Sequence, residues 1–135
     1  MKVILCARLF PVFHPKAGTP TGFKEKILAG TKIHTLRQTA GNRKTGDIIS
    51  LREWTGRPYA SKQQEFARTQ IVVSPITFDW SLDPDPIMSL FAKNDGFDDP
   101  LDFALWFTNG NVRPVHFNGV CINFTDVTPI TSEEQ

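Results

Sequence analysis

Strand-like apolar runs and helical stripes take turns along this chain, separated by Gly, Pro and Asn. Residues 2–9 alternate loosely and are rich in Val, Ile and Leu, which predicts a first strand. Phe10 to Gly18 is a loop broken by Pro11, Pro15 and Gly18, with His14 inside it. The period then changes. Phe23, Ile27 and Leu28 fall at i, i+4 and i+5, the apolar stripe of a short helix. Thr19 or Thr21 can cap it, and with Thr19 as the cap Pro20 takes the first helical position, where a missing N–H costs nothing. Gly30 supplies the left-handed residue that ends a helix.

Asp47 to Trp54 is a second strand opened by Gly46-Asp47, and Thr55-Gly56-Arg57-Pro58 turns the chain into a polar corner at Tyr59–Gln63. Glu65 to Phe78 is one long strand broken at Pro75, because proline belongs at edges and bulges. After a Pro- and Asp-rich connection from Trp80 to Pro86, Ile87–Asn94 forms a helix that stops at Gly96. Asp99 caps another over Pro100–Thr108, where Phe103, Trp106 and Phe107 give a broad apolar side expected to be core. Asn109-Gly110-Asn111 is a stop, and Val115 to Val127 is a last strand pair or one long bulged strand. Five or six strands with one early helix and two late ones, and no regular helical crossovers, predict an α+β fold around a curled, mainly antiparallel sheet. Residues 1–130 make a single domain, and the acidic tail 131–135 has nothing to pack against.

Composition narrows the function classes. A chain of 135 residues, 40% hydrophobic and 21% charged, is globular and buries a core without disulfides or metals. No apolar run is long enough to span a membrane, and the opening segment reads as a strand and not as a signal peptide, so a cytoplasmic setting is expected. Cys6 and Cys121 are then reduced and read as buried small hydrophobes. The net charge is only +1, yet residues 1–70 carry 13 Lys/Arg against 4 Asp/Glu, and residues 71–135 carry 2 against 10. Either a basic face meets an anionic partner, or the halves interleave and neutralise each other.

Candidate chemistry concentrates after Gly30, where Lys32, His34, Thr35 and Arg37 fall within six residues. The sequence holds no glycine-rich phosphate loop, nucleophile elbow or zincin helix. His14, His34 and His116 have no metal-ligand spacing with either cysteine, so neither a metal nor another cofactor is expected, and His116 reads as a hydrogen-bonded structural residue. A binding reading draws on more cations: Lys16, Arg43 and Lys44 in early loops, and Arg52, Arg57 and Lys62 around the polar corner. Such groups contact phosphates irrespective of sequence. Trp54, Tyr59 and Trp80 lie near them and could stack on an unpaired base, Tyr59 best of the three.

The segments Lys32-Ile33-His34-Thr35-Leu36-Arg37, Lys44-Thr45-Gly46-Asp47 and Asn94-Asp95-Gly96-Phe97 together resemble the ASCH family, small β-barrel domains of the PUA-like superfamily related to RNA-binding modules. The resemblance runs in order from about Phe23 to Phe124, with Arg52–Gln64 as an elaboration. Its specific parts are the K-x-x-T-x-R segment and the K-x-G-D strand opening. One branch, the bacterial acetylcytidine amidohydrolases, is similar in carrying lysine and threonine at the positions of Lys32 and Thr35. Asp95 stands where that branch places a glutamate. The resemblance implies Lys32 as general base, Thr35 as nucleophile, Asp95 as the carboxyl that protonates the leaving amine, and Arg37 on a phosphate or carbonyl oxygen. It also requires Lys32 to lie in a turn, since residues three apart in a strand face opposite sides.

Three functions are therefore expected in order: binding of RNA or a modified nucleoside in a basic cleft at Lys32, Thr35 and Arg37; hydrolysis of an acyl group from a nucleobase; and docking of an acidic protein on a basic face.

Overall fold

The computed structural model describes residues 1–83 and 85–131. The start of the tail, Thr131, is exposed, and the rest of the segment expected to be loose lies outside the described residues. The architecture is α+β: a mixed six-stranded sheet and three helices. Strand β1 (Lys2–Leu5) runs parallel to β3 (Ile48–Trp54), in the register Val3↔Ser50. β3 pairs antiparallel with β4 (Gln63–Trp80), with a register shift between Leu51 and Arg52. Past Gln70, β4 leaves β3 and pairs with β5 (Val115–Phe124), which pairs in turn with β2 (His34–Arg37). A two-residue β6 (Thr128–Pro129) lies against β4 at Ala67 and Arg68.

The strand order is β1-β3-β4-β5-β2, so no backbone ladder joins β1 to β2. This seam positions the site. The 18-residue β4 serves both halves of the sheet in turn, which explains the unbroken strand through Pro75. Beyond Gln70 it has, among the described residues, a ladder partner on one side only, and a proline's missing donor is tolerated on the other side.

Helix α1 (Phe23–Ala29) starts later than the capping pattern predicts. Gly22 is the N-cap, at φ 72, and no side chain caps the helix there. The Thr21 hydroxyl donates to the Ala7 oxygen at 2.7 Å and accepts from the Phe23 amide at 3.3 Å. Pro20 forms a bridge with Leu9 instead of opening the helix. The first strand accordingly stops at Leu5, because the chain after Cys6 is drawn to the Thr21 segment.

The late helices follow their caps. Asp85 accepts from the Ile87 amide and opens α2 (Pro86–Asn94); Asp99 accepts from Leu101 and opens α3 (Pro100–Phe107). Phe103 on α3 is fully buried and centres an aromatic cluster, with Phe107, Phe97 and Phe91 rings 5.0, 5.6 and 6.0 Å away. Burial of a side chain of this size contributes about 1.5–3 kcal/mol.

The charge asymmetry resolves in part by interleaving. Lys16, Lys26 and Lys32 of the basic half meet Asp102, Asp98 and Asp95 of the acidic half at 2.5, 3.2 and 3.7 Å. Among the described residues no helix is long and apolar enough to cross a membrane.

Candidate functional site

Side chains, not backbone, span the seam. The Leu5 oxygen on the free edge of β1 accepts from Arg37 Nη2 at 3.0 Å. Two residues back, the Val3 oxygen accepts from Arg43 Nη2 at 2.6 Å and Nε at 3.2 Å. The guanidinium forks thus occupy an edge that would otherwise invite another strand.

Beside this bridge lies a cavity of about 140 Å³. Leu5, Cys6 and Ala7 line it from one side of the seam; Thr35, Leu36 and Arg37 line it from the other. Rings of Phe23, Phe97, Trp106 and Phe107 contribute the apolar wall, and Lys32 and Asp95 the charged part. An apolar cavity of about 150 Å³ holds a benzene molecule, so the scale here is one six-membered ring. Among the described residues no protein group hydrogen-bonds the Thr35 hydroxyl.

Lys32 reaches this cavity because it precedes β2. Gly30 ends α1 in the left-handed region, the amides of Thr31 and Lys32 fold back on the Lys26 oxygen, and the Ile33 amide donates to Asn94 at the end of α2. The face alternation that separates residues three apart in a strand therefore does not apply to Lys32 and Thr35. The Lys32 side chain is only 4% exposed. Its Nζ donates to the backbone oxygens of His34 at 2.9 Å and Asp95 at 2.5 Å, and lies 4.6 Å from the centre of the Phe23 ring. Burial pushes the lysine pKa down, against the opposing pull of the Asp95 charge. Two N–H groups are committed to carbonyls; the third position carries a proton in the ammonium and a lone pair in the neutral amine.

Asp95 is the C-cap of α2, where a cation is favoured beside the exposed carbonyls. Its Oδ1 lies 3.0 Å from His34 Nδ1 and 3.7 Å from Lys32 Nζ. With Nδ1 donating to a carboxylate, His34 is left with Nε2 as an acceptor, buried and unpartnered among the described residues. His34 packs over Phe91 at 4.8 Å and does not line the seam cavity, although the sequence placed it among the ligand contacts. The two thiols are poor nucleophiles here: burial pushes Cys6 up and Cys121 up to about 11.

The remaining candidate cations disperse. Arg43 lines a second, larger cavity that shares Leu5, Cys6, Ala7 and Arg37 with the first. Arg52 donates to Ser50 and Gln63 in a polar network on β3 and β4. Lys44, Arg57 and Lys62 are exposed and line neither cavity. Tyr59, 89% exposed, leans on Trp54 with ring centres 5.1 Å apart, and both line the second cavity. Trp80 is buried, its indole N–H donating to Asp83, so it is core and offers no stacking face. Lys16 is tied to Asp102. His14 is buried, linked to the Asp102 oxygen and the Lys16 amide; His116 is exposed and pairs with Asp79. No group of three His, Cys, Asp or Glu among the described residues could hold a metal ion.

Sequence reasoning missed the cavity's aromatic wall. Trp106 and Phe107 read as core because a helical stripe looks the same whether it faces packed atoms or an opening. No known protein family, curated protein or solved structure matches the chain.

Proposed function

We propose that the seam cavity binds the single ring of a nucleobase, either in a modified nucleoside or in RNA, and that the open sheet is a PUA-like barrel whose ligand occupies its one unladdered seam. One observation carries the reading: a buried lysine and a hydroxyl with no hydrogen-bond partner among the described residues open into a cavity one ring in size, walled by aromatic side chains. A pyrimidine has the matching character, two apolar faces and a polar edge. Phe23, Phe97 and Trp106 take the faces, while Lys32, Thr35 and Arg37 reach the edge. The ASCH resemblance of the K-x-x-T-x-R segment points the same way.

Titration calorimetry with cytidine, N4-acetylcytidine and adenosine tests this. The account expects both pyrimidines to bind at least about tenfold more tightly than the two-ring purine, a difference of about 1.4 kcal/mol. Equal affinity for adenosine, or a Thr35→Val protein that binds as well as wild type, contradicts it.

Hydrolysis of an N-acyl base is a second reading, supported by the lowered pKa of Lys32. The neutral amine takes the Thr35 hydroxyl proton as Oγ attacks the acyl carbonyl. The C–N bond breaks, the proton passes to the leaving amine by way of the Asp95 carboxyl, and water cleaves the threonyl ester. Asp95, held by His34 and close to Nζ, also balances the ammonium while it carries that proton. Incubation with N4-acetylcytidine is the test: turnover that survives Lys32→Ala removes the lysine from the chemistry.

A further inference from the structure

The second cavity, about 520 Å³, continues from the first across Arg37 and is within the size range of small-molecule sites. Among the described residues Arg37 and Arg43 form no ion pair; their protein partners are backbone oxygens of Leu5, Val3 and Ala40. Arg37 Nε is buried with no hydrogen-bond partner among the described residues. The two guanidinium groups lie near enough for Arg37 to disfavour the charge on Arg43, which burial already disfavours. Two like charges fixed on neighbouring carbonyls of one strand edge, with no carboxylate partner among the described residues, form a receptor for an anion at the N–H groups those carbonyls leave free.

The rim supplies a second observation. Tyr59 holds φ 62, a left-handed conformation that costs a bulky residue about 1–2 kcal/mol. Its ring is tilted 50° to that of Trp54 with centres 5.1 Å apart, and the residue remains 89% exposed. An exposed aromatic beside a pair of arginines is a surface on which a base can stack.

We propose that the second cavity is a subsite for the phosphate and the neighbouring base, so the ligand of the seam is a nucleotide within a short single strand and not a free nucleoside. The ring enters the first cavity, the phosphate meets Arg37 and Arg43, and the adjoining base stacks on Tyr59. This rests on the nucleobase reading of the first cavity.

Tryptophan fluorescence titrations with cytidine, cytidine 3′-monophosphate and the dinucleotide cytidylyl-cytidine separate the two claims. The expected order is cytidine, monophosphate, dinucleotide, with about tenfold in affinity from first to last. Only the phosphorylated ligands should weaken steeply as salt rises. In Arg43→Gln the ratio of dinucleotide to nucleoside affinity should fall towards one, and in Tyr59→Ala the monophosphate and dinucleotide should converge. Equal affinities for nucleoside and dinucleotide in wild type, at low salt, overturn the subsite while leaving the nucleobase reading intact. If none of the three ligands binds, both fall. The wild-type series and its salt dependence decide the matter even if a variant folds poorly.

Discussion

A Cβ on residue 96 would stand 2.8 Å from Lys32 Cδ and 2.9 Å from the Phe23 ring, so it is the bare Cα of Gly96 that lets the lysine lie along the end of α2. Gly96 also adopts φ 98, outside the range that L side chains favour. Both constraints act on the same residue, and both serve the placement of one ammonium group.

Gly96→Ala should therefore be costly. Backbone strain of about 1–2 kcal/mol adds to an overlap of about 1–3 kcal/mol. Chemical denaturation should show a loss of roughly 2–5 kcal/mol, with Lys32 displaced from the cavity. A loss below about 0.5 kcal/mol, the range of ordinary surface changes, would mean that the lysine is not held there.

Lys32 should leave a signature in the pH dependence of stability. Its folded pKa lies below the ordinary lysine value of 10.5, so between the two the unfolded chain binds the extra proton. Stability then rises with pH across that window, and the penalty for burying the charge is complete below the folded pKa. Relative to Lys32→Met, wild type should gain stability as pH climbs towards 10.5. In Asp95→Asn the gain should begin at lower pH, because the carboxylate charge holds the lysine pKa up. Parallel profiles for wild type and Lys32→Met, measured by urea melts, would contradict the burial.

Arg37 should act as a clasp for the seam. Arg37→Met leaves the Leu5 oxygen without its charged donor, a loss of about 1–3 kcal/mol. Hydrogen exchange should quicken at the Cys6 amide, which bonds the Arg52 oxygen at 2.7 Å, and stay unchanged along the β4–β5 ladder. Uniform protection in the variant would show that the edge of β1 does not depend on the arginine.

Much of this was legible in the chain. Asp85 and Asp99 sit before Pro86 and Pro100, local chemistry that fixes where α2 and α3 begin. The α+β class and the three helices follow from periodicity. The open seam between β1 and β2 did not follow, since whether the two strands meet depends on long-range geometry that period-two alternation does not encode. In the site, Lys32 and Thr35 are paired by the family resemblance, and Gly30, ending a helix just ahead of them, is what puts Lys32 outside the strand alternation. His34, in the same segment, belongs to Asp95 and Phe91. Charge counts could not foresee the dispersal of Arg52, because its partners Ser50 and Gln63 come from the strand register.

Thr35→Val isolates the hydroxyl at nearly constant shape. With no hydrogen bond of Thr35 Oγ to other described residues to lose, thermal stability should change by less than about 0.5 kcal/mol. Pyrimidine affinity should drop about five- to tenfold, the worth of one hydrogen bond of about 1 kcal/mol. A large loss of stability with affinity intact would assign the hydroxyl to the fold.

A crystal structure grown with saturating cytidine tests the central claim most directly. The account predicts the pyrimidine ring between β1 and β2, against Phe23, Phe97 and Trp106, with its polar edge within hydrogen-bond distance of Lys32 or Thr35. Density for the ring elsewhere on the protein, or a seam cavity empty of it at full occupancy of the nucleoside, would contradict the account.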